Sequence, residues 1–173
     1  MGRMKEEFMQ MKMQEQEQLI NNQNNLKMKK VTTNGTTESQ PKETRKDVLK
    51  RLFIENNLVE EDVYKDKRGF VIITRTGIDK IVSRQNIQVA YEVIKLDTDM
   101  VVIKAIASMR TGSKETDVKN MMSFGEASND NLMGGGKKFP VAMAEKRAMS
   151  RVVLKIAGFY EQGVFGQDEI VDD

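Results

Sequence analysis

The chain has 173 residues, of which 39% are hydrophobic, and its 28 Lys and Arg against 26 Asp and Glu give a net charge of +2. It contains neither Cys nor His, which excludes disulfide frameworks, most zinc sites and the Ser-His-Asp triad. No stretch has the roughly 20 apolar residues of a membrane span, and the N-terminus is too polar for a secretion signal. These features predict a cytoplasmic protein with one folded domain and polar extensions.

The first 45 residues predict an arm and a linker. Residues 1–30 are rich in Met, Gln, Asn and Lys, and Met4, Phe8 and Met11 form only an incomplete helical stripe. A lone helix of this quality is marginal in water, so a helical arm and a disordered arm both stay open. Residues 31–45 have the Thr, Asn, Gly and Pro content of a linker.

From residue 46 onward the pattern predicts short helices alternating with strands. The turn residues Asp97, Thr98 and Asp99 separate two β-rich segments, which predicts an antiparallel hairpin. The next segment is expected to place Val118 and Met121 inward and Lys119 outward. The predicted elements are helices over 46–58 and 76–85 on either side of a strand at 70–74, strands at 87–96, 100–109 and 114–123, and a helix over 140–157.

This order predicts an α+β domain: an antiparallel meander of three to four strands backed by a long C-terminal helix, with one sheet face buried. We expect an arm and linker over 1–45, a domain over 46–160 and an acidic tail over 161–173. The tail holds five acids and no base, whereas 129–160 carries a net charge of +4. Such a tail is either a solvated terminus or a competitor for the basic surface.

The long C-terminal helix carries its cations on one stripe and its apolar groups on another. Arg147, Arg151 and Lys155 recur every four residues and therefore share one side. Arginine can bind a phosphate through two parallel hydrogen bonds. Cations at the loop–helix junction lie near the positive end of the helix dipole, which also favours an anion. The stripe predicts that these cations point outward and bind a polyanion. The alternative is that they lie on a solvated helix face without a ligand. The candidate nucleic-acid-binding residues are Lys137, Lys138, Lys146, Arg147, Arg151 and Lys155.

Two acids and two alanines near this stripe have open roles. Glu126 is expected to cap the helix or pair with one of its cations, such as Lys146 or Arg147, and Glu145 must be paired or near an edge. Ala144 and Ala148 either admit another backbone or a sugar–phosphate chain, or are ordinary helix formers. A metal-dependent nuclease using the two acids is the weaker alternative, so we expect no enzyme activity, metal or cofactor.

The same segments resemble a known family. The strand end Gly-Glu-Ala-Ser, an Asn-containing loop and the helix start Phe-Pro-x-Ala-Met-Ala-Glu-Lys-Arg-Ala resemble the annealing-type recombinase superfamily of phages and prokaryotes. The resemblance covers about residues 69–160. It implies single-stranded DNA binding, strand annealing and assembly into rings or filaments, in the bacterial host cytoplasm for a phage protein. It also implies that Lys146, Arg147 and Arg151 are DNA-facing or structural, with Lys137 and Lys138 at the groove.

Two functions of different classes follow. The first is sequence-independent binding of single-stranded DNA by a homo-oligomer without cofactor or membrane, in annealing or recombination. Because only 6% of the residues are aromatic, contacts to the phosphate backbone are favoured over base stacking. The alternative is a structural or interaction protein, such as a virion or packaged component, that assembles through its N-terminal arm.

Overall fold

A computed structural model describes residues 43–170, which adopt an α+β fold with three α-helices and two three-stranded sheets. The α+β class, the antiparallel meander and the long C-terminal helix are confirmed, whereas most of the predicted arm lies outside the described residues. The helices are α1 Arg45–Glu55, α2 Arg75–Arg84 and α3 Pro140–Ile156; the strands are β1 Val63–Lys65, β2 Val71–Ile73, β3 Gln88–Leu96, β4 Met100–Arg110, β5 Val118–Ser128 and β6 Val164–Gly166.

The larger sheet has the order β3-β4-β5, and both pairs are antiparallel. On the central strand β4, Val101, Ile103, Ala105 and Ala107 are buried, while the residues between them are only partly covered. Side chains alternate between the two faces of a strand, and α3 packs on the buried one. The sheet therefore buries one face, as the alternation predicted.

Strand β5 differs from its prediction in both extent and orientation. It runs from Val118 to Ser128, so the strand is longer than predicted and the Gly-Glu-Ala-Ser segment forms its last four residues. The prediction for Val118 is wrong, because Val118 is exposed. Lys119 is exposed as predicted, but it has the strand parity of Met121 and lies on the helix-facing side. Its Nζ donates to the carbonyl oxygen of Ile156 at 2.8 Å, at the negative end of α3.

The smaller sheet was not predicted. Strand β2 pairs antiparallel with β1 and parallel with β6. Strand β6 comes from the segment expected to be an acidic tail, so that boundary is wrong: through Ile170 the segment belongs to the fold. Val164 is fully buried, and the Phe165 ring contacts the rings of Phe70 and Tyr160. A three-residue strand shows too little periodicity to stand out among five acids.

Helix α3 contributes buried residues all along its C-terminal half. Val152, Val153, Leu154 and Ile156 are essentially inaccessible to solvent. The helix contacts β4 and β5 of one sheet, β6 of the other, and α2. Buried side chains of α1 and α2 join the same core. None of the helices within residues 43–170 has the length and apolar character needed to cross a membrane.

Helices α1 and α2 begin at threonine caps. Thr44 accepts a hydrogen bond from the backbone N–H of Asp47, and the Asp47 carboxylate accepts one from the backbone N–H of Thr44. Thr74 accepts from the N–H of Gly77. Such caps satisfy N–H groups that the first helical turn leaves free.

Candidate nucleic-acid interface

The Arg147 side chain, predicted to face outward, is buried inside the domain. Only 5% of the residue is exposed. Its guanidinium donates to the carbonyl oxygens of Asp168 at 2.9 Å, Glu126 at 2.7 Å and Asn131 at 2.8 Å, and to the Asn131 Oδ1 at 2.8 Å. Burial lowers the pKa of Arg147 from its ordinary value, although arginine stays charged. Arg147 therefore joins α3 to β5, to the following loop and to the C-terminal segment.

Arg151, one helical turn further on, is held by two carboxylates of the same chain. Its Nε lies 2.8 Å from Glu169 Oε2, and its Nη1 lies 2.9 Å from Glu126 Oε2. The same Nη1 donates to the Phe124 carbonyl oxygen at 2.9 Å. Burial alone lowers the pKa of Arg151, but its hydrogen bonds and ion pairs with Glu126 and Glu169 outweigh burial and raise it. Glu126 thus pairs with a helix cation as predicted, but that cation is Arg151, while Arg147 takes its carbonyl.

The two arginines point inward because β5 is an edge strand of the larger sheet. Edge strands present backbone groups that no neighbouring strand pairs. The carbonyls of Phe124 and Glu126 receive N–H donors from Arg151 and Arg147. The prediction of an outward basic stripe is therefore wrong for these two side chains, which close the β5 edge.

Lys155, the third member of the stripe, is also engaged within the chain. Its Nζ donates to Ser123 Oγ at 2.9 Å and lies 5.2 Å from the centre of the Tyr160 ring. The residue is partly buried. Lys155 therefore braces the C-terminal turn of α3 against β5 and the following turn.

Asp168 and Glu169, from the predicted tail, complete the enclosure of the stripe. Glu169 accepts from the Gly166 N–H at 3.1 Å and from Arg151. Burial raises the pKa of Glu169 above its ordinary value of 4.5, despite these favourable contacts. The acidic segment was expected to be either a solvated terminus or a competitor for the basic surface. Asp168 and Glu169 do contact the basic residues, and they do so as an ordered part of the fold.

The remaining predicted cations, Lys137, Lys138 and Lys146, are exposed at the N-terminal end of α3. Within residues 43–170 no ion pair involves them. Phe139, next to Lys138, is 65% exposed. This end of the helix therefore combines positive charge, the positive end of the helix dipole and an accessible aromatic ring.

Glu145, next to Lys146 in the N-terminal half of α3, is exposed to solvent. The expectation that this carboxylate is near an edge is confirmed. Burial and the charge of Glu145 raise the pKa of Tyr91 on β3. Tyr91 is paired with Ala105, a buried residue on the helix-covered face of β4, and remains 41% exposed.

A second basic feature, which the sequence did not reveal, is a cleft of about 430 Å³ near the C-terminal ends of the three helices. We call it the C-terminal cleft. Apolar parts of its lining come from Leu52, Met109 and Ile156. Its charged lining consists of Arg51, Glu55, Arg84 and Lys119.

Two of the three cations of the C-terminal cleft, Arg84 and Lys119, are anchored by helix carbonyls. Arg84 Nε donates to the Glu55 carbonyl oxygen at 3.2 Å, and Lys119 Nζ donates to that of Ile156. A guanidinium has five N–H donors and an ammonium has three. Each side chain is thus positioned by one donor and retains others for an anion.

Sequence reasoning missed this cleft because its three cations come from α1, α2 and β5. No spacing along the chain joins them. One local signal existed: Lys119 has the strand parity of the inward-facing Met121. Within residues 43–170, no three Asp or Glu side chains are grouped closely enough to hold a metal ion.

Comparison of the chain with protein-family models, curated proteins and solved structures finds no match.

Proposed function

We propose that the chain binds single-stranded DNA without sequence preference and acts in strand annealing or recombination, as the superfamily that it resembles does. The observation that carries this proposal is the C-terminal cleft, where Arg51, Arg84 and Lys119 line the same cavity as Leu52, Met109 and Ile156. Positioned cations suit phosphate oxygens, and the neighbouring apolar side chains suit the sugars of the backbone.

The distribution of cations supports recognition of the DNA backbone. Arg147 and Arg151 hold the fold together, so the proposed phosphate contacts are the three cleft cations and the exposed Lys137, Lys138 and Lys146. Lysine and arginine contacts to phosphate carry no sequence information. They also leave the bases of a bound strand free to pair.

The test is fluorescence anisotropy of labelled single-stranded DNA, duplex DNA and RNA of equal length, at several salt concentrations. We expect the single strand to bind most tightly, with affinity falling steeply as salt rises. The double variant Arg84→Gln/Lys119→Gln should weaken binding about tenfold, by analogy with the loss of two phosphate contacts.

The matched control is Lys65→Gln/Lys67→Gln, which removes the same charge from exposed positions outside the cleft lining. It should change affinity less than about twofold. Binding that is absent or insensitive to salt, or equal losses in the two double variants, contradicts the proposal.

Self-association is part of the proposal and is supported by strand β3. Its outer edge has no strand partner within residues 43–170, and its Val93 and Leu96 are 59% and 69% exposed. An exposed apolar edge strand is a template for pairing. Light scattering of the full chain across a concentration series should detect a homo-oligomer.

The same exposed side chains favour the second candidate, a structural protein whose role is assembly. Light scattering after removal of residues 1–42 separates the two functions when it is combined with the anisotropy experiment. Assembly that depends on the arm and is indifferent to DNA, together with absent DNA binding, favours the structural protein.

A further inference from the structure

Glu55 places a negative charge among the cations of the C-terminal cleft. Its Oε1 lies 3.5 Å from Arg51 Nη1, and its backbone oxygen accepts from Arg84. Its side chain is 52% exposed, so a ligand in the cleft would meet it.

A second carboxylate holds the same arginine from the other side. Glu43 Oε1 lies 3.1 Å from Arg51 Nε, and Glu43 Oε2 lies 3.2 Å from Arg51 Nη2. Hydrogen bonding to Glu43 raises the pKa of Arg51. The guanidinium therefore has all three of its nitrogens facing carboxylate oxygens.

We propose that Glu55 and Glu43 act as an internal anion that occupies Arg51 and that a phosphate group must displace. This inference rests on the proposed binding of DNA in the cleft and describes how that site is regulated. Carboxylate and phosphate compete for the same guanidinium geometry. The two acids keep affinity low and make it sensitive to any change that removes their charge or draws them away.

The size of the effect follows from the exposure of the ion pairs. Exposed pairs between arginine and glutamate are weak, so the acids reduce affinity without closing the site. Removing one charge should tighten binding about two- to fivefold. Releasing Arg51 to a phosphate should also steepen the dependence of log K on log salt by about 0.7.

The experiment compares Glu55→Gln with Glu61→Gln in anisotropy titrations of a short single-stranded oligonucleotide over a range of salt. Both changes remove one negative charge, but Glu61 is exposed and does not line the cleft. We expect Glu55→Gln to bind two- to fivefold more tightly than wild type with a steeper salt slope, and Glu61→Gln to stay within about 1.5-fold. Glu43→Gln should act in the same direction as Glu55→Gln.

The outcomes separate this inference from the proposed function. If wild type binds and Glu55→Gln resembles Glu61→Gln, the internal anion is refuted while DNA binding stands. If neither wild type nor Glu55→Gln binds the oligonucleotide, both proposals are refuted. Weaker binding by a folded Glu55→Gln variant shows that Glu55 supports the site, and this also overturns the inference.

Discussion

Gly125 of β5 lies so close to Ala148 of α3 that a β-carbon on the glycine would stand 2.9 Å from the Ala148 α-carbon. It would also overlap the Ala144 carbonyl oxygen and the Ala148 backbone nitrogen. Both alanines are fully buried. Of the roles open for these alanines, close approach of another backbone is therefore confirmed, and that backbone is β5 of the same chain.

This contact predicts that Gly125→Ala is severely destabilising. Backbone atoms of α3 cannot move aside without separating the helix from the sheet, so we expect a loss of about 3 kcal/mol or more in the free energy of unfolding. Urea denaturation monitored by circular dichroism measures it. The control is Gly135→Ala, where a β-carbon meets nothing within 4 Å. Equal stability of the two variants would show that β5 and α3 are not packed in this way.

Arg147→Met should destabilise the domain, even though methionine keeps a flexible side chain similar to the aliphatic part of arginine. It leaves the buried carbonyl oxygens of Glu126, Asn131 and Asp168 without the donors they now have, at an expected cost of about 3–5 kcal/mol. Thermal and urea unfolding measure this cost. The adjacent Lys146→Met changes an exposed side chain and should stay within about 0.5 kcal/mol of wild type. If Arg147→Met is as stable as wild type but no longer binds DNA, the structural role of Arg147 is contradicted and Arg147 contacts DNA instead.

The buried Glu169 predicts a pH dependence of stability. Burial raises its pKa in the folded protein, so the folded state holds this proton more tightly than the unfolded state does. The resulting contribution is fully present below the ordinary pKa of 4.5 and is lost as pH rises through the raised folded pKa. Wild type should therefore lose stability relative to Glu169→Gln across this window.

Urea denaturation of both proteins from pH 4 upward, in steps of half a pH unit, measures the difference. Glu161→Gln, at an exposed position, serves as the control and should show no such trend. A wild-type advantage that grows with pH would instead mean that Arg151 lowers the pKa of Glu169.

Lys137→Gln/Lys138→Gln tests the exposed N-terminal end of α3. Neither side chain forms an ion pair within residues 43–170, so stability should stay within about 0.5 kcal/mol of wild type. If both lysines contact phosphates, the slope of log K against log salt should fall by about 1.4 for a single strand. An unchanged slope beside the Lys65→Gln/Lys67→Gln control would remove these two lysines from the interface.

Local patterns predicted the elements that are long or sharply bounded. Helical periodicity predicted the 17-residue helix α3. Turn residues between two β-rich segments predicted the hairpin of β3 and β4. Strands β1 and β6 have three residues each and owe their existence to pairing with β2. Their signal lies in contacts between distant segments, which sequence periodicity does not contain.

The sequence by itself determined that Arg147, Arg151 and Lys155 share one side of a helix, since that follows from 3.6 residues per turn. Only the tertiary structure decided what this side faces. The β5 edge needed donors for its carbonyls, and the C-terminal segment supplied carboxylates, so the arginines turned inward. The cleft formed by Arg51, Arg84 and Lys119 arose in the same way, because three separate elements had to fold together before their charges could meet.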